Sequence, residues 1–137
     1  MTEHPPESPA AAAPQSLDLP PILAYLRGFV AAREWEQFHS PKNLVMALGG
    51  EVGELTELFQ WLTEAQSAAV MSDPKAAARV RDELADVVVY CLRLADVLGI
   101  SLEQAIWSKF AQNAAKYPVE TSRGHARKYD DLAGDES

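Results

Sequence analysis

The sequence carries two pairs of carboxylates, each spaced three residues apart within a segment whose apolar residues recur with a helical period. Glu51 and Glu54 form the first pair, and Glu83 and Asp86 form the second. On a helix, residues i and i+3 lie side by side, so each pair presents two carboxylates together. Four carboxylates gathered in a helical core would repel one another and could not all stay ionised. A bound cation would relieve that repulsion, and Mg²⁺ is the natural candidate because it prefers oxygen ligands.

One such pair alone is weak evidence, because exposed helices carry many acidic pairs with the same spacing. Two pairs, each at the edge of an apolar stripe, are a stronger indication of a metal site. Ferritin-like di-iron bundles use Glu-x-x-His, and no histidine stands at such a position in this chain. The all-oxygen set therefore favours Mg²⁺, with Mn²⁺ as a substitute. The competing interpretation is a non-catalytic helical interaction module whose acidic rim is only solvated surface.

Start and stop signals along the chain predict an all-α fold. Four long helices are expected to hold the carboxylates, and a capping box at Thr63 and Gln66 predicts a short extra helix between the second and the third. We therefore expect a four-helix-bundle-type core. The start signals are Asp18 with Pro20, Ser40-Pro41, Asp73-Pro74 and Ser101, and the last two helices end at Gly99 and before Pro118.

Composition predicts the limits of the folded region and its assembly. Residues 1–17, rich in proline and alanine, are expected to form a disordered leader. Residues 18–118 are expected to form one helical domain, and residues 119–137 a partly ordered tail. The third long helix is apolar on two nearly opposite sides, and such a helix in a short chain is buried from both sides. We therefore expect an oligomer, either a dimer or a dimer of dimers.

Charge and cysteine content narrow the class of partner. The net charge of −8 argues against nucleic acid or an anionic membrane as the main partner. A small anionic substrate is still compatible, because a metal ion and a few local cations can reverse the field at a site. The single cysteine, Cys91, excludes an intrachain disulfide and fits a reducing compartment, so a cytoplasmic location is expected.

Some aromatic and polar residues fall where a core alone does not explain them. Trp35 lies off the apolar stripe of the first helix and is expected to cover a subunit interface or the end of the core. Lys109, Asn113 and Lys116 share the side of the fourth helix that should face inward. Cations there indicate an anion to bind, or else lysines whose side chains reach solvent from the open end of the helix. Both interpretations of the lysines stay open.

Several linked motifs resemble those of one enzyme family. The two carboxylate pairs, the first within residues 50–55 (GEVGEL), resemble the all-α nucleoside triphosphate pyrophosphohydrolases of the MazG-like superfamily. Residues 33–39 (REWEQFH) and 57–61 (ELFQW) are similar to its dCTP pyrophosphatase branch, as are Ser108-Lys109 and Tyr117-Pro118. The likeness covers roughly residues 20–130.

The resemblance implies an activity and a set of site residues. The expected reaction is Mg²⁺-dependent hydrolysis of dCTP or a modified dCTP to the monophosphate and pyrophosphate, in a homodimer or homotetramer, with a different base preference as the alternative. Gly50 stands where many members carry a further glutamate, which leaves the number of metal ions open. The implied metal ligands, also catalytic, are Glu51, Glu54, Glu83 and Asp86. The implied substrate residues are Trp35 and Trp61 around the base, Tyr90 beside them, and Lys109, Asn113, Lys116 and Tyr117 at the phosphates or sugar.

Overall fold

The computed structural model describes residues 17–128, and every regular element in that range is helical. The predicted all-α fold with a short extra helix is therefore confirmed. Most of the predicted leader (residues 1–16) and the end of the predicted tail (residues 129–137) lie outside the described residues. The helices are α1 (Leu19–Ala32), α2 (Pro41–Phe59), α3 (Glu64–Ala68), α4 (Pro74–Leu98), α5 (Leu102–Lys116) and α6 (Val119–Ser122), with 3₁₀ turns at Trp35–Phe38 and Val70–Ser72.

Side-chain caps begin the helices where the sequence predicts them. The Ser40 hydroxyl accepts a hydrogen bond from the Asn43 N–H at 3.2 Å, which satisfies one of the free amides at the start of α2. At the start of α3, the Gln66 side chain accepts from the Thr63 N–H at 2.9 Å, and the Thr63 hydroxyl accepts from the Gln66 N–H at 3.2 Å. At the start of α4, the Asp73 carboxylate accepts a hydrogen bond from the Lys75 N–H. These local bonds fix where α2, α3 and α4 begin, whereas Asp18 at the start of α1 makes no side-chain cap bond.

The core lies mainly between α2 and α4, with α1 packed against α4. The connection from α2 to α4 reverses the chain direction, so the two helices run antiparallel and the middle of one faces the middle of the other. The fully or nearly buried apolar side chains belong to these three helices: Val30 of α1, Leu44 of α2, and Ala77, Leu92 and Ala95 of α4. The α2–α4 pair is therefore the rigid platform of the molecule. Among residues 17–128, none of the helices combines the length and the apolar composition of a membrane span.

Helix α5 lies at the edge of this platform and keeps an apolar face uncovered. Trp107 and Phe110 pack edge to face at 5.6 Å but are 66% and 56% exposed. Lys109, Asn113 and Lys116 are also exposed, so in one copy of the chain they do not face inward as predicted. The reason is topological: α5 follows α4 after a short turn, and no helix in residues 17–128 covers its outer side.

The turn between α4 and α5 supplies a stability prediction. Gly99 caps α4 in the left-handed region with φ of 67°, a conformation that brings a Cβ too close to the next carbonyl. The Gly99→Ala variant is expected to lose about 1 kcal/mol of unfolding free energy. The control is Gly28→Ala, in the interior of α1 with nothing within 4 Å of the added Cβ, which is expected to gain about 1 kcal/mol. Urea denaturation measures both, and shifts of the same sign would contradict the prediction.

Candidate functional site

Carboxylates from α2 and α4 meet where the middles of the two helices face each other. One oxygen from each of Glu51, Glu83 and Asp86 lies within 4.8 Å of the other two. Glu51 and Glu83 are half-buried, whereas Asp86 is exposed. The antiparallel packing thus brings both sequence motifs into one acidic cluster, although they are far apart in the chain.

Glu54 joins the acidic cluster from its exposed rim. It follows Glu51 by three residues on α2, and its carboxyl group is close enough to influence the pKa of both Glu51 and Glu83 through a hydrogen bond and through its charge. Each of the four carboxylates named from the sequence therefore influences the pKa of Glu51, of Glu83 or of both. The acidic cluster is defined below as Glu51, Glu54, Glu83 and Asp86.

Burial and mutual repulsion make ionisation of the acidic cluster costly. Burial is the largest of the causes that raise the pKa of Glu83 to about 7, followed by the hydrogen bond with Glu54 and the charges of Glu54, Glu51 and Asp86. Burial is also the main cause that raises the pKa of Glu51. A hydrogen bond between two carboxyl groups needs a proton between them, so full ionisation turns the same contacts into repulsion. Near neutral pH, the acidic cluster without a cation must therefore hold a proton or endure that repulsion.

Two oxygens of the acidic cluster are buried without a donor. Oε2 of Glu51 and Oε2 of Glu83 are shielded from solvent and have no hydrogen-bond partner among the described residues. Ionised carboxylate oxygens only accept hydrogen bonds, so they cannot satisfy one another. Leaving such atoms buried and unpartnered is costly, whereas a hard divalent cation would satisfy both. The donor set therefore fits a metal ion that prefers oxygen ligands.

The two tryptophans predicted to line a base pocket lie at opposite ends of α2. Trp35 precedes α2, and its ring packs edge-on against Phe29 with centroids 5.8 Å apart. Trp61 follows α2, is 86% exposed, and lines an open groove of about 410 Å³ together with Arg79. The 19 residues of α2 span about 28 Å, far more than the thickness of a nucleobase. The two indole rings of one copy therefore cannot enclose the same base.

The other predicted substrate residues lie on α4 and α5. Tyr90 follows Asp86 by one turn on the same flank of α4 and is half-buried. Helix α5 begins at the C-terminal end of α4 and runs back beside it, since the two helices line one apolar groove. The residues predicted to bind phosphates or sugar are exposed along α5 and at its C-terminal cap: Lys109, Asn113, Lys116 and Tyr117.

A charged network centred on one buried arginine, beside the Trp35–Phe38 turn, was not predicted. Arg93 of α4 is only 9% exposed, and its Nε donates a hydrogen bond to Nδ1 of His39 at 3.0 Å. A second guanidinium nitrogen of Arg93 lies 3.6 Å from the Asp96 carboxylate. Arg27 of α1 donates to both oxygens of Asp96, at 2.8 and 2.5 Å. The one sequence signal for this network is the i, i+3 spacing of Arg93 and Asp96 within an apolar stretch.

The chain is similar to proteins of one family in both sequence and fold. A family model described as the MazG-like family matches residues 47–132, a range that contains both carboxylate pairs. The dCTP pyrophosphatase 1 of Rattus norvegicus is 46% identical over 130 residues, which are 92% of this chain and 76% of that protein. The dCTP pyrophosphatase 1 of Homo sapiens is 44% identical over 104 residues, 76% of this chain and 61% of that protein. The crystal structure of a pyrophosphatase from Archaeoglobus fulgidus matches with a TM-score of 0.69 and 34% identity, over 79% of this chain and 99% of that one.

The raised pKa of Glu83 predicts how the stability of the metal-free protein depends on pH. The pKa is about 7 in the folded chain against an ordinary 4.5, so between these values the folded state binds the proton more tightly. The contribution of Glu83 to stability is therefore lost as the pH rises from 4.5 to about 7. Thermal unfolding in a chelating buffer should show the wild-type Tm falling relative to that of Glu83→Gln across this range. Parallel Tm curves for the two proteins would contradict the prediction.

Proposed function

The chain belongs to the MazG-like family, and on that basis we propose that it hydrolyses dCTP to dCMP and pyrophosphate. It is a pyrophosphohydrolase, as its motifs predicted, and its relatives named dCTP pyrophosphatase 1 match most of its length. The observation that carries the proposal is the acidic cluster with two buried oxygens that have no donor. A non-catalytic helical module leaves that costly arrangement unexplained.

The acidic cluster supports Mg²⁺ as the cofactor, with Mn²⁺ as a substitute. Glu51, Glu54, Glu83 and Asp86 would hold the cation, which when bound supplies charge neutralisation for the triphosphate and a more acidic water. The packed α2–α4 pair fixes these carboxylates before a substrate arrives, which lowers the entropic cost of reaching the reactive geometry. One of them, once ionised, accepts the proton of the water that attacks the α-phosphorus.

Helix α5 supplies groups suited to the rest of the nucleotide. Lys109 and Lys116 carry positive charge on one side of α5, and they would stabilise the departing pyrophosphate. Asn113 and Tyr117 are placed on α5 or at its C-terminal cap and would bind the sugar or phosphates through hydrogen bonds. Their exposure in one copy suits ligand contact, since none of these side chains is needed for the α2–α4 core.

We propose that two copies of the chain complete each site. The base would stack between Trp35 of one copy and Trp61 of another, with Tyr90 at its border, because α2 holds the two tryptophans apart within one chain. The uncovered aromatic face of α5 gives independent support, since monomers rarely leave contiguous apolar patches of this kind in water. A homodimer, or a tetramer built from two dimers, would bury that face and assemble the pocket.

Two further expectations stay predictions. A modified dCTP is as compatible with stacking on indole rings as dCTP itself, because every base has a π-face. A cytoplasmic location is inferred only from the single cysteine, Cys91, which forms no disulfide in the described part of the chain. Initial rates with a panel of canonical and modified nucleoside triphosphates, following both the monophosphate and pyrophosphate, test the base preference and the bond cleaved together.

The Glu83→Gln variant tests the catalytic role of the acidic cluster. Removing one ligand should lower kcat for dCTP by at least about a hundredfold, since even partners of ligands cost up to that much. The same variant should lose the rise in Tm that Mg²⁺ gives the wild-type protein. The matched control is Glu64→Gln, an exposed residue at the start of α3 outside the acidic cluster. A Glu83→Gln enzyme with wild-type turnover would refute the proposed site.

Mixing two variants that bind dCTP weakly tests the shared base pocket. Trp35→Ala and Trp61→Ala should each raise KM for dCTP by about tenfold or more, because base stacking on an aromatic ring is worth about 1–3 kcal/mol. If each site takes one tryptophan from each copy, refolding the variants together restores about a quarter of the sites, because half of the dimers are mixed and each has one intact site. Activity equal to the average of the two variants would place both tryptophans in one chain's pocket.

A further inference from the structure

The turn that carries Trp35 is tied to α4 through a hydrogen bond between one half-buried and one buried side chain. The 3₁₀ turn Trp35–Phe38 ends at His39, whose Nδ1 accepts the 3.0 Å hydrogen bond from Nε of Arg93. Arg93 is buried, so it cannot itself contact a nucleotide. Its only described partners are His39 and Asp96. Any effect of the Arg93 guanidinium on nucleotide binding must therefore pass through His39 and the turn that it ends.

Arg93 is itself oriented by a second arginine on another helix. Asp96 lies one turn further along α4, and both of its oxygens accept hydrogen bonds from Arg27 of α1. The hydrogen bond from Arg27 is the main cause that lowers the pKa of Asp96, so this carboxylate stays ionised beside Arg93. The network therefore links α1, α4 and the turn, and it fixes the direction in which the Nε–H of Arg93 points.

The Trp35–Phe38 turn has further contacts with α1 and α2, and His39 connects it to α4. The chain enters the turn through Glu34, which has a left-handed φ of 54° that reverses the direction of α1. The Trp35 ring then packs against Phe29 of α1 in a T-shaped contact. At the exit, Asn43 donates a hydrogen bond to the Phe38 carbonyl at 3.1 Å. The bond between Arg93 and His39 adds the anchor to α4.

We propose that Arg93 and His39 are positioning residues for nucleotide binding, which hold the Trp35 turn against α4 so that the indole ring presents its face to the base. The inference rests on the proposed function only in taking Trp35 as part of the base pocket. The Nε of Arg93 always carries a hydrogen, so His39 must be neutral and accept at Nδ1. Burial, followed by the charge of Arg93, lowers the pKa of His39 and keeps the imidazole in that form.

Stability alone does not account for this arrangement. Replacing a whole buried ion pair by apolar side chains is often neutral or stabilising, whereas removing one partner costs stability because it leaves the other charge unpaired. In Arg93→Met no charge is left unpaired, because Asp96 keeps its hydrogen bonds from Arg27. A positioning role and a purely stabilising role of Arg93 therefore predict different results for the Arg93→Met variant. The first predicts a change in KM with little change in Tm, and the second predicts the reverse.

The Arg93→Met variant separates these roles by steady-state kinetics with dCTP at saturating Mg²⁺. The KM should rise about tenfold, because the stacking energy is lost when the indole ring is misplaced, while kcat stays within about twofold because the acidic cluster is untouched. The matched control is Arg81→Met, the same substitution at an exposed position of α4 about three turns before Arg93. An unchanged KM in Arg93→Met, or an equal rise in the control, would overturn the inference.

A double-mutant cycle with Trp35→Ala shows whether the effect passes through Trp35. In the Trp35→Ala background, Arg93→Met should raise KM no further, since the positioned ring is already gone. Additive effects would overturn the inference while leaving the proposed function intact. A Trp35→Ala enzyme with wild-type KM would instead refute the base-pocket role in the proposed function. The two failures are therefore distinguishable.

Conservative variants keep the test valid if Arg93→Met fails to fold. Arg93→Lys retains the charge but not the planar Nε donor, so it should raise KM in the same direction while circular dichroism reports native helices. His39→Asn retains an acceptor near the position of Nδ1 and should give a KM closer to the wild type than His39→Ala does. Equal KM values for His39→Asn and His39→Ala would overturn the role assigned to this hydrogen bond.

Discussion

Repulsion among the four carboxylates between α2 and α4 is the constraint on which the rest of the structure depends. Charge of one sign would drive these two helices apart, and their apolar contacts around Leu44 and Leu92 hold them together against it. The helices that bear the acidic cluster are accordingly the two longest of residues 17–128. Apolar packing along both helices offsets the repulsion and keeps the carboxylates at fixed positions. Such unfavourable charge arrangements are common in functional sites.

The residues of the proposed site are distributed over different helices. The α2–α4 platform holds the carboxylates, the turn after α1 presents Trp35, and α5 presents Lys109 and Lys116 on its exposed surface. Only the platform is well packed within a single chain, and the elements offered to the nucleotide are peripheral. Such an arrangement suits the proposed site between copies, because each copy would bring the rigid acidic cluster and exposed groups for its neighbour.

Local signals carried most of what the sequence could predict. Caps at Ser40, Thr63 and Gly99 depend on neighbours within a few residues, so their types and spacing determine where helices begin and end. The two carboxylate pairs were also readable, because each pair lies on one helix and only the pairing of the two helices had to be assumed. The all-α fold followed from the same short-range patterns, and the family was implied by the resemblance of several linked motifs.

Tertiary geometry accounts for what could not be predicted. The separation of Trp35 from Trp61 depends on the length of α2 and on where the chain turns at each end. The bond between Arg93 and His39 joins residues that no periodicity relates, and Arg93 sits in a stretch that otherwise looks apolar. The exposure of Lys109 depends on the lack of a covering helix among residues 17–128. The spacing of residues within one helix does not predict any of these three features.

The raised pKa of Glu83 has a consequence for cation binding as well as for the stability of the fold. A group that titrates near neutrality must lose its proton to receive a cation, so cation binding at the acidic cluster would release hydrogen ions into the surrounding water. The affinity of such a site for its cation would therefore fall as the solution is acidified.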